Sequence, residues 1–377
     1  MESSSGLMGT ISAEDRRFLR RALELGRRGW GHVQPNPLVG CVLVKDGQVV
    51  GEGWHREFGG PHAEVVALGI AGSDAGGATA YVSLEPCRHQ GKTPPCAQAL
   101  SAAGITRVLF GAADPGEQSG GGGQALREMG LEVVGPLLTP REAQRENPGF
   151  FRKDGRPWVA LKLAISLDGK ISSRSGQRTP ISGAESGEEV HRLRAGFDAI
   201  LVGSHTARVD DPLLTVRGDI IPAVPPRRVI LDTTGKVSPA SSVLEPGGGP
   251  VIFLTSGASS SAWRDGVRAR GGSVVEVPAG RGGVSLSSAL EVLRLDGART
   301  ILCEGGGVLG AGLLHAGLVD RLYLIVAPRL IGPEGVPALP LEKAPAPAGP
   351  RSSDWEQIGE PRRVGNDTWI TLEPGGA

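Results

Sequence analysis

Four residues in two short stretches have the types and spacing for metal chemistry. They are His62 and Glu64 in Pro61-His62-Ala63-Glu64, and Cys87 and Cys96 in the run from Glu85 to Cys96. One imidazole and two thiols suit a tetrahedral zinc whose fourth position stays open for water. Two thiolates cancel the charge of the dication. Glu64 is placed to take a proton from that water and hand it to a departing amine. A structural zinc, or three donors that never meet, are the competing readings, although a structural site normally closes with four protein ligands. The remaining cysteines, Cys41 and Cys303, lie in apolar runs and are expected in the core.

These residues need elements to hold them. Asp15 to Arg28 carries apolar residues at helical spacing. Val39 to Val44 reads as a buried strand, Asp46-Gly47 as a hairpin turn and Gln48 to Trp54 as the returning strand. Pro61 opens a helix through Ala71, whose N-terminus favours the anionic ligands and Glu64. Strands at 80–84, 107–110 and 131–134 alternate with a helix that Pro94-Pro95 begins, holding Cys96 in its first turn and running to Ala103, and a helix at 124–129. That alternation implies a parallel or mixed sheet covered on both faces, with both metal-bearing segments on one side near strand ends. Asn36, fixed between Pro35 and Pro37, is a candidate for reading a pyrimidine edge or a sugar hydroxyl. His55 and His89 are candidates either for supporting the residues of the site from behind or for contacting a substrate phosphate, and Lys92 for meeting a phosphate.

The second half repeats the alternation without repeating the first. Trp158 to Leu167 is a long apolar strand ending at Asp168-Gly169. Strands at 199–202, 228–231, 251–254, 273–277, 300–303 and 321–326 follow, with helices at 184–195, 262–269 and 287–295 and a helical turn from His205 to Pro212. Residues 304–317 form a glycine-rich turn opening a helix. Gly305 to Gly310 formally satisfies G-x-G-x-x-G. It comes late in the chain, however, and no acid ends the next strand, so a Rossmann domain is rejected. What remains is a phosphate cradle of bare amides at a helix N-terminus, or plain close packing of helix on sheet. Arg194, Asp210, Asp211, Arg217 and Glu304 form a charged set around it. Arginine forks suit phosphate, and solvated ion pairs are the alternative.

Composition bounds the rest. The 377 residues carry 40 basic and 40 acidic side chains. Zero net charge argues against a generic nucleic-acid or anionic-membrane binder. No apolar run reaches the roughly 18 residues of a membrane span, and Met1 to Thr10 lacks a secretory pattern. Four cysteines, two of them assigned to metal, give no disulfide framework, which points to a reducing cytoplasm. The length accommodates two domains. A composition shift at a short basic connector, Phe150 to Lys153, divides the chain into residues 1–149 and 150–377. A homo-oligomer is expected.

His-x-Glu followed by Pro-Cys-x-x-Cys is the signature of zinc nucleobase deaminases. Here the two cysteines lie nine residues apart instead of three. With that spacing, the sequence resembles the bifunctional riboflavin-biosynthesis deaminase–reductases over nearly its whole length. The motifs that carry the resemblance are Gln34-Pro35-Asn36-Pro37, Gly60 to Glu64, Glu85-Pro86-Cys87 through Thr93-Pro94-Pro95-Cys96, Lys162-Leu163-Ala164 with Ser166 to Lys170, Asp210-Asp211-Pro212 with Leu214 to Arg217, and Glu304-Gly305-Gly306.

The resemblance implies an α/β protein with a cytidine-deaminase-like three-layer domain followed by a dihydrofolate-reductase-like domain. It implies zinc-dependent hydrolysis of the C2 amine of 2,5-diamino-6-(5-phosphoribosylamino)pyrimidin-4-one, then NADPH-dependent reduction of the ribosyl group to ribityl. By position, His62, Cys87 and Cys96 would hold zinc and Glu64 would move the proton. Ala164, Thr206, Asp210, Thr233, Gly306, Gly307, Gly310 and Gly312 would lie along NADPH. Arg178, Arg194, Leu214, Arg217 and Glu304 would face the phosphorylated substrate, with Arg194 and Arg217 as phosphate forks. Pro180 stands where many members carry Trp, and Arg178 where Ser is frequent. The alternatives are one live activity with the other half as scaffold, or a zinc-stabilised nucleotide-binding module without turnover.

Overall fold

A computed structural model of the chain describes residues 11–89, 94–152, 155–280, 282–340 and 354–375. The candidate Lys92, the N-terminal segment Met1 to Thr10 and Lys153 of the connector lie outside the described residues. The chain forms two compact units, Met1–Phe151 and Arg152–Ala377.

In the first unit, α1 (Ala13–Gly26) starts at a capping box in which Ser12 and Asp15 satisfy each other's backbone amides. The hairpin β1 (Gly40–Lys45) and β2 (Gln48–Trp54) leads to α2 (Ala63–Ala71). Next come β3 (Thr79–Leu84), α3 (Cys96–Ala102), β4 (Arg107–Ala112), α4 (Gly122–Glu128) and β5 (Glu132–Val134). The sheet order is β2-β1-β3-β4-β5, antiparallel at the hairpin and between β1 and β3, and parallel from β3 onward. Alternation along the strands separates two cores. Cys41, Leu43, Val82 and Val108 face Ala67, Leu100 and Leu126 of α2, α3 and α4. Val42, Val44, Tyr81 and Leu109 face Phe18, Leu19 and Ala22 of α1. The result is three layers. Two more helices follow, α5 (Pro140–Glu146) and α6 (Pro148–Phe151). The stretch from Phe150, read as connector, is thus helical at its start, because Phe150 and Phe151 pack on Leu84, Ala112 and Ala143.

The second unit opens with β6 (Trp158–Ser166) and β7 (Lys170–Ser172), then α7 (Ala184–Ala195), β8 (Ala199–Gly203) and α8 (Ser204–Asp210). The middle contains β9 (Arg227–Leu231), β10 (Val251–Thr255), α9 (Ser261–Ala269), β11 (Ser273–Glu276), the short pair β12 (Ala279–Gly280) and β13 (Gly283–Val284), and α10 (Leu286–Leu295). The last part has β14 (Thr300–Cys303), α11 (Gly307–His315), β15 (Arg321–Ala327), β16 (Val336–Pro337), β17 (Trp355–Gln357), β18 (Arg362–Val364) and β19 (Asp367–Pro374). The main sheet runs β11-β10-β9-β8-β14-β6-β15-β19-β17. It is parallel as far as β15 and antiparallel beyond it. Its core joins Val159, Leu161 and Leu163 of β6 to Leu290 and Leu293 of α10 and Leu313 of α11. Cys41 and Cys303 are fully buried, as expected. Among the described residues no helix is long and apolar enough to cross a membrane.

One packing contact in the first unit bears directly on the metal candidates. Gly122, the first residue of α4, lies so close to the strand-end loop that a Cβ there would overlap the Pro86 carbonyl oxygen and come within 3.5 Å of the Cys87 carbonyl carbon. Backbone cannot yield as a flexible side chain can. Gly122→Ala is therefore expected to cost about 1–3 kcal/mol and to lower metal retention by moving Cys87. Denaturant unfolding and metal content after dialysis check this, and wild-type values of both would refute it.

Candidate active sites

In the first unit, three elements bring the donors together. His62 is the N-cap of α2, Cys87 follows β3, and Cys96 is the first residue of α3. His62 Nδ1 lies 3.2 Å from Cys96 Sγ and 3.6 Å from Cys87 Sγ. All three ligand atoms fall within 4.8 Å of one another. Tetrahedral zinc with ordinary Zn–N and Zn–S bonds holds N and S about 3.6 Å apart, so the donor set fits the metal. The Cys96 amide donates to Cys87 Sγ at 3.4 Å, which ties the two loops together. The Cys96 thiol, and then the His62 ring, hold the Cys87 thiol below its ordinary range. Cys96 is pushed up by sharing the site with Cys87 and by burial.

Glu64, in the first turn of α2, is 3% exposed. Burial raises its carboxyl to about 6, against the pull of its own backbone amide and of His62. A carboxyl poised there both accepts and releases a proton near neutral pH. Glu85 fixes the metal loop from outside: its carboxylate accepts from the amides of Gly123 at 2.8 Å and Asp114 at 3.1 Å.

Asn36 sits beside this site through His55. The buried His55 ring donates from Nδ1 to the Pro61 carbonyl at 3.0 Å, and burial lowers its pKa, so the ring is neutral. Its Nε2 then accepts from Asn36 Nδ2 at 3.0 Å, which directs the Asn36 carbonyl oxygen away from His55. Asn147 clamps the adjoining Leu38 through both its amide N–H and C=O. His55 is therefore a support for Asn36. His89 is exposed, at a shallow depression with Gly116 to Ser119.

The second unit contains an open cleft of about 2740 Å³. Of the residues expected along a nucleotide, Thr206, Asp210, Thr233, Gly306, Gly307 and Gly312 line it. Arg178, Arg194, Leu214, Arg217 and Glu304, expected at the substrate, line it too. The side-chain positions of Ala164 and Gly310 are not among its lining. Ala164 packs with Val190, Ile325 and Trp369, because its position on β6 turns it to that cluster. Gly310 faces the sheet, where a Cβ would stand 3.4 Å from Leu161. The glycine turn is also less bare than expected. The Gly306 amide donates to Thr206 Oγ1 at 3.0 Å, and Gly307 is required by close approach to the Ala338 carbonyl.

Glu304 is the charge centre of this cleft. Burial would raise its carboxyl, but Arg194 and Lys162 outweigh burial and hold it at about 2. Arg194 grips it with both arms of its fork, Nε at 2.5 Å and Nη2 at 3.2 Å, while Lys162 Nζ lies 3.0 Å away. Arg194 Nη1 also donates to the Thr215 carbonyl at 2.9 Å. Three of the five N–H donors of Arg194 are thus engaged, and it lines the cleft with its remaining two. Arg178 and Arg217 are exposed at the cleft. Between them, Asp211 and Leu214 adopt positive φ, 41° and 52°. This backbone is costly for non-glycine residues and is held by its surroundings. The Asp211 carboxylate accepts from the Ser242 amide at 2.9 Å and hydroxyl at 2.6 Å, and Leu214 is buried.

Glu85 and Lys162 were visible in the sequence only as members of motifs. Of the two tasks open to His55, the structure fits support of a neighbouring side chain, and nothing in the sequence singled out His191, which touches the Thr215–Arg217 segment.

Comparison with known proteins assigns a family to each unit. The RibD C-terminal domain matches residues 157–360, and the cytidine and deoxycytidylate deaminase zinc-binding region matches residues 12–112. The riboflavin biosynthesis protein RibD of Escherichia coli is 40% identical, the match covering 95% of this chain and 99% of that protein. The structure of Acinetobacter baumannii RibD superposes with a TM-score of 0.77 at 34% identity, over 96% of this chain and 99% of that one. A Thermotoga maritima diaminohydroxyphosphoribosylaminopyrimidine deaminase/5-amino-6-(5-phosphoribosylamino)uracil reductase gives 0.77 at 31% identity, with the same coverage of both chains. A zinc-type deaminase unit and a RibD-type reductase unit thus follow one another in a single chain, which belongs to the RibD family of riboflavin-biosynthesis deaminase–reductases.

Proposed function

We propose that this chain performs two consecutive steps on one phosphoribosylated pyrimidine, deamination in the first unit and reduction of the sugar in the second. The observation that carries this reading is the convergence of His62, Cys87 and Cys96 beside a buried Glu64, in a chain that matches deaminase–reductases end to end. Zinc, when bound there, supplies the Lewis acidity that makes water acidic near neutrality. On 2,5-diamino-6-(5-phosphoribosylamino)pyrimidin-4-one, a C–O bond forms at C2, the C2–N bond breaks, and the nitrogen departs as ammonia. Glu64 takes the proton that the attacking water loses and gives it to that nitrogen. Its burial gives it a proton affinity that a surface carboxylate lacks. Asn36 offers its side-chain carbonyl oxygen to the N–H groups of the base.

NADPH, when bound in the second unit, supplies a hydride to C1′ of the ring-opened sugar. Ring opening leaves the former ring oxygen in need of a proton. Lys162, lining the cleft and held by Glu304, is the donor best placed to give it. Arg217 and Arg178 are the cations for the substrate phosphate. Thr206, Asp210, Thr233 and the turn from Gly306 to Gly312 follow the nucleotide. A homo-oligomer in the cytoplasm is the expected setting, and metal binding by Cys87 and Cys96 requires reduced thiols.

Two substitutions separate the steps. Glu64→Gln is expected to lower ammonia release by roughly 10²–10⁴-fold. Zinc content, and NADPH oxidation on the deaminated substrate, should persist. Wild-type ammonia release in that variant would end the assignment. Glu304→Gln should spare ammonia release and abolish NADPH oxidation. It should also destabilise the second unit by roughly 3 kcal/mol, because Arg194 and Lys162 lose their counter-charge. Glu304 titrates at about 2 against an ordinary 4.5, so its contribution is complete above that ordinary value and is lost as pH falls toward 2. The stability difference between wild type and variant, measured by denaturant at pH 7 and near pH 3, should shrink at the lower pH.

A further inference from the structure

The segment Thr215–Arg217 is set by a histidine that no part of the reaction above uses. His191 lies on α7, one turn before Arg194. Its Nδ1 is 3.1 Å from the Thr215 carbonyl and 3.2 Å from the Arg217 amide nitrogen. One ring nitrogen cannot serve both. It would have to carry a hydrogen to donate to Thr215 and a lone pair to accept from Arg217.

The neighbouring bonds decide between them. The Thr215 carbonyl already accepts from Arg194 Nη1 at 2.9 Å. Among the described residues, the Arg217 amide has no acceptor besides His191. The tautomer with its hydrogen on Nε2 keeps the Arg217 amide bonded to Nδ1 and leaves the Thr215 carbonyl its bond from Arg194, whereas the Nδ1–H tautomer leaves that amide without a protein acceptor among the described residues.

We propose that His191 is a positioning residue for the reductase step: neutral, with its Nδ1 lone pair on the Arg217 amide, it fixes the backbone from which Arg217 reaches the substrate phosphate. This rests on the reading of Arg217 as a substrate cation. Protonating Nδ1 turns the acceptor into a donor facing another donor. It also adds a cation beside Arg194, on the same helix, and Arg217, on the facing loop. Among the described residues the anion that acts on the ring is Glu304, directly after β14, and it is already shared by Arg194 and Lys162. Burial, then Arg194 and Arg217, lower the His191 pKa, so the neutral form prevails at neutral pH and is lost on the acid side.

The test uses the full-length, zinc-loaded enzyme with the deaminated phosphoribosylaminouracil and NADPH, following absorbance at 340 nm from pH 5 to 8. His191→Asn places a non-titrating oxygen where Nδ1 was. Near pH 8 its KM for the pyrimidine should match wild type. As pH falls, the ratio of wild-type KM to His191→Asn KM should rise, and in that ratio the titration of the substrate phosphate cancels. His191→Phe, which removes the acceptor, should raise this KM roughly ten-fold with kcat and the KM for NADPH unchanged. A flat KM ratio across the pH range, or a wild-type KM in His191→Phe, overturns the inference. Arg217→Ala is the separate control. If it leaves KM unchanged, the phosphate reading of Arg217 fails. If it raises KM while His191→Phe does not, only the role of His191 fails.

Discussion

A carboxylate taken out of water must either find opposite charge or give up its own, and each unit is built around one that has been taken out. The two resolve the problem in opposite directions. Glu64 feels only a weaker pull from His62 and its own backbone amide, and burial lifts it to about 6, where it trades protons readily. Glu304 is met by Arg194 and Lys162 and stays ionised down to about 2. One carboxyl therefore moves protons, and the other holds two cations in place. The surrounding elements follow from these roles. The start of α2 presents Glu64 beside the metal ligands, and β14 ends at Glu304 between β6, which carries Lys162, and the helix that carries Arg194.

Much of this was legible in the sequence. His62, Glu64, Cys87 and Cys96 announce themselves because metal chemistry admits few residue types. The long apolar strands and the three layers follow from periodicity, since Cys41 and Leu43 alternate with Val42 and Val44 between two separate cores. The nine-residue step between the thiols identified the family before any coordinates did.

The rest depended on partners distant in the chain. Arg194 reads in the sequence as a free cation, and its bond to Glu304, 110 residues later, is visible only in the fold. Gly306 looks like a bare amide until Thr206 is seen capping it from 100 residues earlier. Glu85 and Lys162 look like ordinary strand-end and strand residues. The helix Pro140–Glu146 carried a readable start signal, the Thr139–Glu142 capping box. The short strands near the end, Trp355–Gln357 and Arg362–Val364, carry too few residues for periodicity to register.

The sheet of the second unit also constrains how that unit comes into being. β6 emerges first, yet its two neighbours are β14 and β15, which begin more than 130 residues further along the chain. Until they arrive, the strand bearing Lys162 is an apolar ribbon with both edges open. Pairings across such separations close slowly, because the loop entropy is lost before the contacts repay it. A fragment that ends before β14 lacks Glu304 and the glycine turn, so it cannot assemble the cleft. The first unit pairs β1 with β2 across a two-residue turn and needs no such wait. In a nascent chain the metal-binding half thus gains its form while the other half is still an exposed, sticky strand, the interval in which this protein would most need a chaperone.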